Sequence, residues 1–384
     1  KAQSPTTITV GGGIHFSLMP EEIMAECHEL DYLIKGEGEL TLTELVRALK
    51  RDRDAGAGIS GLYYRNQGQI VHNEPRPLIS NLDVLPDPAW HLVPKLQINP
   101  YSFTPANWGD WTILVTSRGC VGKCTYCSPI YTQGKYRAMS AERTLDMIEA
   151  AYKLGKTSIW LEDLAFNIDR KRTEAILDGL IARGIKAHFM IHSRTEYIVR
   201  DRDLLPKYRQ AGIEMVQMGA ESFSQEDLDK WQKGSSISAT QQAVYLLKEH
   251  SISSWLFFML GAWHHGIEDV EAMGRFAREI DPDVAIFCIA TPYPGTDYAA
   301  EMKTLNAIET YNYRLYDQIH GIMPTQKLTR EQVHKLRGKA FADFYRSDPS
   351  RIRRKLESNN EFTRHWYRRL VDNPTVAPSM PNFE

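Results

Sequence analysis

Cysteine is scarce in this chain of 384 residues: there are five, and three of them lie within eight positions. This distribution excludes the disulfide framework of a small secreted protein and favours metal binding or redox work. The formal net charge of -2 gives no reason to expect nucleic acid or an anionic membrane as a partner. No apolar run is long enough to span a bilayer, and the first residues lack a signal-peptide pattern. We therefore expect a cytoplasmic protein without a membrane span.

The clustered cysteines are Cys120, Cys124 and Cys127, spaced C-x3-C-x2-C. A structural zinc site needs four ligands, usually in two separated pairs, and no fourth ligand stands at a usual spacing. Three thiolates on a four-iron cluster would leave one iron free to bind a substrate or cofactor. Gly119 and Gly122 let the backbone wrap closely around such a group. The residues alone leave three interpretations open: a cluster, zinc with one distant ligand, or free thiols.

The N-terminal residues alternate between strand and helix patterns. Residues 8–48 read as two strands that end in glycines, each followed by a helix, with an apolar face at Leu42, Leu45, Val46 and Leu49 on the second helix. A hairpin is predicted over residues 57–73. We predict one domain over residues 1–74, and the proline-rich stretch at 75–108 reads as a linker.

From residue 109 to 300 the chain repeats a strand-helix unit six times. The strand-like runs lie at 112–117, 157–162, 185–191, 213–218, 252–260 and 283–290. Helices are predicted between them, one of them opened by a capping box of Ser238 and Gln241. The alternation predicts parallel strands covered by helices, either as an open sheet or as a partial barrel. Ligands bind beyond the C-terminal ends of such strands, and the cysteine segment follows the first of them.

Residues 301–384 change character and are predicted to form a helical C-terminal region. Residues 307–320 and 329–346 read as helices, the second opened by a Thr329–Gln332 capping box. The tyrosines of the first are expected to pack on a helical face. The basic run at 351–355 is expected to be a solvated surface, the last ten residues to be loose, and His264 and His265 to be exposed loop residues.

The cysteine spacing, with the aromatic Tyr126 just before the last cysteine, resembles the signature of the radical S-adenosylmethionine (SAM) superfamily. The resemblance implies a partial (β/α)6 barrel, which agrees with the six units. It also implies that Cys120, Cys124 and Cys127 bind a [4Fe–4S] cluster whose open iron binds SAM. Cluster and SAM would carry the chemistry, while the protein supplies orientation and excludes water.

Further segments match the superfamily less specifically. The resemblance implies SAM contacts from a set of residues at the ends of strands two to five: Glu162 and Asp163, Arg194, Glu221, and Leu260 and Gly261. Arg194 is expected near the SAM carboxylate, since an arginine and an anion pair well. Tyr126 is counted with the cofactor-binding residues. No residue is assigned to the catalysis of the substrate reaction.

One branch of the superfamily carries a cobalamin-binding domain before the barrel, and residues 10–46 resemble the end of that Rossmann-like domain. Its backbone would approach the nucleotide tail of cobalamin at five glycines: Gly11, Gly12, Gly13, Gly36 and Gly38. Because the D-x-H-x-x-G motif expected upstream is absent and no initiator Met is present, we expect an N-terminally truncated chain. His15 is not expected to bind cobalt.

The resemblance predicts a cobalamin-dependent radical SAM enzyme that methylates an unactivated carbon. The alternative is a radical oxidation or cyclisation like that of the anaerobic Mg-protoporphyrin monomethyl ester cyclase. A third possibility, of a different class, is a non-catalytic zinc-binding module. The expected partners are a small-molecule or natural-product substrate and an electron donor such as flavodoxin or ferredoxin.

Overall fold

A computed structural model describes residues 4, 6–52, 55–92 and 104–372. Its N-terminal part is a four-stranded sheet in the order β1-β2-β3-β4. The pair β1–β2 is parallel, and β3 and β4 join as the predicted antiparallel hairpin. The elements are β1 (Val10–Gly12), α1 (Ile14–Leu18), α2 (Pro20–Glu26), β2 (Tyr32–Ile34), α3 (Gly38–Leu49), β3 (Leu62–Asn66) and β4 (Gln69–His72).

Six parallel strands form the central sheet, and all six were predicted from the sequence. They are β5 (Asp110–Leu114), β8 (Lys156–Leu161), β9 (His188–Ser193), β10 (Ile213–Glu221), β11 (Ser253–Leu260) and β12 (Val284–Ile289). Within this sheet the strands lie in the order β5-β8-β9-β10-β11-β12, so neighbours in this list are paired. Among the described residues no strand joins β5 to β12, so the barrel stays open. The short strands β6 (Ser117–Arg118) and β7 (Arg137–Ala138) form a separate antiparallel pair.

Helices lie between and after these strands. They are α4 (Pro129–Gln133), α5 (Ala141–Lys153), α6 (Arg170–Ala182), α7 (Thr195–Arg200), α8 (Leu205–Gln210), α9 (Gln225–Lys230), α10 (Ile237–Glu249), α11 (Ile267–Ile280), α12 (Asp297–Thr304), α13 (Arg330–Arg346), α14 (Pro349–Leu356) and α15 (Glu361–Asp372). The main core packs the barrel strands against α5, α6, α10, α11 and α13. None of the described helices is both long and apolar enough to cross a membrane.

Two sequence predictions about helices are wrong. Helix α10 is capped by Ser236, whose side chain accepts from the amide of Ala239, so Ser238 lies inside the helix. In α3 the four apolar residues share one face as predicted, although only Leu45 among them is fully buried. Residues 307–320 contain only the short 3₁₀ helix Tyr313–Leu315.

The helical C-terminal region packs against the last barrel strand. The Thr329–Gln332 capping box of α13 is present as predicted. In α14, Arg351 and Lys355 are buried and not solvated: Arg351 pairs with Asp281 at 2.6 Å and Lys355 with Asp283 at 3.1 Å. These two basic residues lie one turn apart and face the barrel, whereas Arg353 faces solvent.

The N-terminal sheet is joined to the barrel by buried charges. Glu37, just before α3, accepts hydrogen bonds from Arg118 at 2.8 Å, from Arg137 at 3.1 Å and from the amide of Ile79 at 2.6 Å. The described part of the predicted linker contains only three 3₁₀ helices, at Leu82–Val84, Trp90–Leu92 and Ala106–Trp108. Residues 93–103 of the linker and the predicted loose C-terminus lie outside the described residues.

Candidate active site

The cysteine segment, residues 119–136, follows the C-terminal end of β5. The antiparallel β6–β7 pair joins its two ends. Gly119, at the start of the segment, has a φ of 75°, and a Cβ there would lie 2.4 Å from the carbonyl oxygens of Gly134 and Lys135. Only glycine fits such a close backbone approach with positive φ. The segment is thereby held over the barrel mouth.

The three thiols lie together, as the sequence predicted. A Cβ placed on Gly122 would lie 3.5 Å from Sγ of Cys120 and 3.7 Å from Sγ of Cys124. The amide of Gly122 donates to Sγ of Cys120 at 3.3 Å. Burial, and then the neighbouring Cys124 and Cys120 thiols, raise the pKa of Cys127 to about 12. Three thiols so close together are a ligand set for an iron–sulfur cluster, in which the iron holds them as thiolates.

Arg194 supplies positive charge beside the thiols. It stands at the N-cap of α7, directly after β9, and is 9% exposed. Its Nη1 lies 4.0 Å from Sγ of Cys124, and it also pairs with Glu196 and the carbonyl of Lys233. The guanidinium therefore faces a cysteine and two protein acceptors.

Glu221 lies at the end of β10 and pairs with Lys233. The sequence did not single out Lys233. The two side chains approach to 2.8 Å and are 13% and 9% exposed. Glu221 has a φ of 63°, and the β10–β11 register shifts between Gly219 and Glu221. Burial lowers the pKa of Lys233, but the interactions with Glu221 and Cys124 raise it by more than that, so the net shift is upward. No periodic pattern in the sequence marks a lysine in this loop.

Asp163 is fully buried and is bonded to the residues that follow β5. Its carboxylate accepts from the amide and hydroxyl of Thr116, at 2.6 and 2.5 Å, and from the amide of Ser117 at 2.7 Å. Burial raises its pKa, and the charge of Arg172 opposes the rise. Asp163 thus holds the turn that begins the cysteine segment. Its neighbour Glu162 is exposed, with Oε2 3.0 Å from Nε2 of His192.

A cavity of about 870 Å³ adjoins the cysteines. On the barrel side it is lined by Tyr126, Cys127, Glu221, Phe257, Met259, Cys288 and Tyr293. On the opposite side it is lined by Ile14, His15 and Leu18 of α1 and by Tyr313, Arg314, Tyr316 and Gln318. The rings of His15 and Tyr313 are 4.8 Å apart and join these two segments. The tyrosines expected on a helical face are therefore partly cavity wall.

Leu260 and Gly261 do not line the cavity. Leu260 is fully buried in the core, and a Cβ on Gly261 would lie 2.6 Å from Cγ1 of Val333 in α13. Successive strand residues point to opposite faces, so Phe257 and Met259 reach the cavity instead.

The cavity lining also contains none of the five N-terminal glycines. A Cβ on Gly11 would meet the ring of Phe16, while Gly13 and Gly36 have positive φ.

His264 and His265 follow β11 and both contact Asp227 of α9. Nε2 of His264 lies 2.7 Å from Oδ1 of Asp227, and Nε2 of His265 lies 3.2 Å from Oδ2. His265 is 1% exposed, so the expectation of two exposed loop histidines is wrong for this residue. The ring of His265 is buried because it contacts the carboxylate of Asp227, which is itself buried.

Comparison with known proteins places this site in a family. Residues 114–277, from the end of β5 into α11, match the family described as the radical SAM superfamily. An uncharacterized methyltransferase of Pyrococcus horikoshii is 34% identical over 338 residues, which are 88% of this chain and 72% of that protein. The anaerobic magnesium-protoporphyrin IX monomethyl ester cyclase of Rubrivivax gelatinosus is 29% identical over 87% of this chain. The chain spans only 60% of the length of that cyclase.

The fold has a solved counterpart. The radical SAM methyltransferase TsrM of Kitasatospora setae, with cobalamin and a [4Fe–4S] cluster bound, superposes with a TM-score of 0.68 at 19% identity. The superposition covers 94% of this chain and 80% of TsrM. The chain thus belongs to the radical SAM superfamily: it is an enzyme whose cofactors include a [4Fe–4S] cluster and SAM. This membership sets aside the non-catalytic zinc module.

Proposed function

We propose that this chain is a cobalamin-dependent radical SAM enzyme that methylates an unactivated carbon of a small molecule. The observation that carries the proposal is the position of Cys127 on the wall of a large cavity that α1 of the N-terminal region closes from the other side. The similarity to a methyltransferase at 34% identity and the likeness to the fold of TsrM support it.

In this proposal Cys120, Cys124 and Cys127 hold the cluster, and the amide of Gly122 donates to a ligand sulfur. When bound, the cluster and SAM supply one-electron reductive cleavage of SAM, and cobalamin supplies methyl transfer. Arg194 and Lys233 place two buried positive charges beside the thiolates. Glu221 would present a carboxylate to the ammonium group of SAM, and Tyr126 lines the same cavity as Cys127.

Residues 1–74 are proposed to be the C-terminal part of the cobalamin-binding domain, residues 109–300 the radical SAM barrel, and residues 301–384 a helical C-terminal region. The parallel β1–β2 pair and the contribution of α1 to the cavity wall support the first assignment. The apolar and aromatic lining excludes water from a reacting radical. The five glycines are proposed to lie along the nucleotide tail of cobalamin and not in the cavity.

Electron delivery is proposed from flavodoxin or ferredoxin in a reducing, cytoplasmic setting. The outer side of the cysteine segment carries a second depression of about 740 Å³, lined in part by Cys120, Lys123 and Lys135. Val121 beside it is 56% exposed. An acidic electron carrier would find a basic, partly apolar surface there, next to a proposed cluster ligand.

The test is a SAM turnover assay under strict anaerobiosis, with iron and sulfide reconstituted, a reductant added and cobalamin supplied or withheld. The expected result is 5′-deoxyadenosine from the unchanged chain and from Cys27→Ala, and none from Cys124→Ala. Cys27 is the matched control because it is exposed and is not among the residues that line the cavity. Formation of 5′-deoxyadenosine by Cys124→Ala would overturn the cluster assignment.

The same assay separates the two reaction types. Cobalamin-dependent S-adenosylhomocysteine would indicate methyl transfer, because it is the product that SAM leaves when it donates its methyl group. Formation of 5′-deoxyadenosine with no S-adenosylhomocysteine would favour oxidation or cyclisation. The similarity to the cyclase is the reason to consider this second reaction type. If neither product forms on a cluster-loaded chain, the proposal fails for this chain.

A further inference from the structure

A second group of metal-ligating side chains lies outside the cysteine segment. It consists of Asp227, His264 and His265, and their ligand atoms all lie within 4.8 Å of one another. Asp227 belongs to α9, which follows β10, and the two histidines belong to the loop that follows β11. The three side chains therefore come from two neighbouring strand-to-helix connections and meet at one point.

The spacing suits a tetrahedral divalent cation. The two nitrogen-to-oxygen distances are 2.7 and 3.2 Å. Ligands bound to zinc at about 2.0–2.1 Å in a tetrahedron are roughly 3.3 Å apart, so small shifts of the imidazoles would accommodate the ion. His264 is 38% exposed in its side chain, while Asp227 and His265 are 6% and 1% exposed. Two of the three side chains are thus buried, and His264 reaches solvent.

The hydrogen bonds of the group leave it under-satisfied. Oδ2 of Asp227 already accepts a 2.6 Å hydrogen bond from Ser222. The 3.2 Å contact with that same oxygen is the one hydrogen bond found for the buried ring of His265, and its Nδ1 has no partner among the described residues. Nδ1 is not the nitrogen that faces Asp227, so a bound ion would replace the long 3.2 Å contact of Nε2 and would leave Nδ1 as it is.

The location would give a bound ion a structural role. Trp231 packs between this group and the cysteine segment, with its ring 6.3 Å from that of His265 and 6.0 Å from that of Tyr126. The carbonyl of Trp231 accepts from the amide of Thr125 at 3.1 Å. An ion that joins Asp227 to the two histidines would fix α9 and the following Trp231 against the cysteine segment.

We infer that Asp227, His264 and His265 form a second metal site, separate from the three cysteines, for a divalent cation of the zinc class. Two imidazoles and one carboxylate with an open fourth position are a ligand set that zinc accepts. The inference does not depend on the proposed reaction, since it concerns different residues and a different metal.

The test measures zinc and iron in the full chain purified anaerobically and equilibrated with Zn²⁺. His264→Ala is the variant, because its partly exposed side chain can be removed without opening the core. His320→Ala is the matched control, since His320 pairs with a single aspartate, Asp317, at 2.8 Å. We expect about one zinc ion per chain in the unchanged protein and in the control, and at least a tenfold loss of zinc in His264→Ala with iron unchanged.

The triple variant Cys120→Ala, Cys124→Ala, Cys127→Ala shows where the zinc binds. It should retain zinc while it loses iron, whereas zinc that had occupied the cysteines would disappear. Thermal unfolding gives an independent measurement: added Zn²⁺ should raise the Tm of the unchanged chain and leave that of His264→Ala unmoved. Equal zinc contents in the unchanged chain and His264→Ala, or no zinc in either, would overturn the inference.

Discussion

Replacing Lys233 by methionine should strongly destabilise the fold, because it leaves the carboxylate of Glu221 buried without its partner. The two charged atoms are 2.8 Å apart, and the side chains are 9% and 13% exposed. Coulomb's law gives roughly 6 kcal/mol for this distance at an effective dielectric constant near 20. Desolvation offsets part of that attraction in the intact pair.

The loss caused by removing one partner is larger than the net worth of the pair. A single charge left buried typically costs about 3–5 kcal/mol, whereas neutralising both partners costs much less. We therefore expect about 3–5 kcal/mol of lost stability for Lys233→Met. The double variant Glu221→Gln, Lys233→Met should lose less than the sum of the two single variants, by at least about 2 kcal/mol.

The assay is urea unfolding of the cluster-free chain at neutral pH, followed by tryptophan fluorescence, for all four members of the cycle. The free energy of unfolding is compared at constant m-value, so that changes in the midpoint report stability. A loss below about 1 kcal/mol for Lys233→Met, or strictly additive single effects, would refute the reasoning. The pair would then be solvated in solution, and Lys233 would contribute no buried positive charge beside the thiols.

Three further predictions concern other parts of the chain. Gly119→Ala should unfold at lower urea than Gly155→Ala and should load less iron, because both positions have positive φ but only at Gly119 would the Cβ meet carbonyl oxygens; the control should lose about 1–2 kcal/mol. Burial alone would raise the pKa of Glu37, but hydrogen bonds from two arginines and a backbone amide lower it. Ionised Glu37 therefore stabilises the fold above its unfolded pKa of about 4.5 and ceases to do so as the pH falls through its lowered folded value. The difference in the free energy of unfolding between the unchanged chain and Glu37→Gln, measured by urea unfolding across pH, should accordingly shrink as the pH falls below about 4.5. A difference that stays constant with pH would contradict the lowered pKa of Glu37. Arg351→Met should lose about 2–3 kcal/mol, because Lys355 still lies 3.5 Å from Asp281, whereas Arg353→Met should stay within about 0.5 kcal/mol in the same measurement.

The barrel could be predicted from the sequence because parallel strands buried on both faces read as continuous apolar runs. Six such runs alternate with helical patterns, and all six are strands in the structure. The cysteine cluster could be predicted for a similar reason: its three ligands are close in sequence, so their spacing carries the information. The same holds for the α13 capping box, which spans only four residues.

The rest of the site depends on contacts between distant residues, and local patterns do not report these. In β11 both faces are apolar, so no alternation tells which of Met259 and Leu260 reaches the cavity. Glu162 and Asp163 are adjacent acids at a strand end, and only the fold shows that Asp163 turns to hold Thr116. No local pattern distinguishes Lys233 from the other lysines, and only the fold shows that it pairs with Glu221 beside the register shift in β10.

The two sides of the cavity wall differ in how tightly their residues are fixed. The barrel side carries the cysteine and the carboxylate proposed to hold the cofactors, and these are fixed by buried pairs and by glycines that tolerate no Cβ. The opposite side consists of α1 and the segment around Tyr313, which contains little regular structure and bears the exposed Arg314. Substitutions there change the shape and polarity of the cavity without disturbing the thiols. Substrate choice should therefore be encoded in α1 and residues 313–318, while the cleavage of SAM is encoded in the barrel.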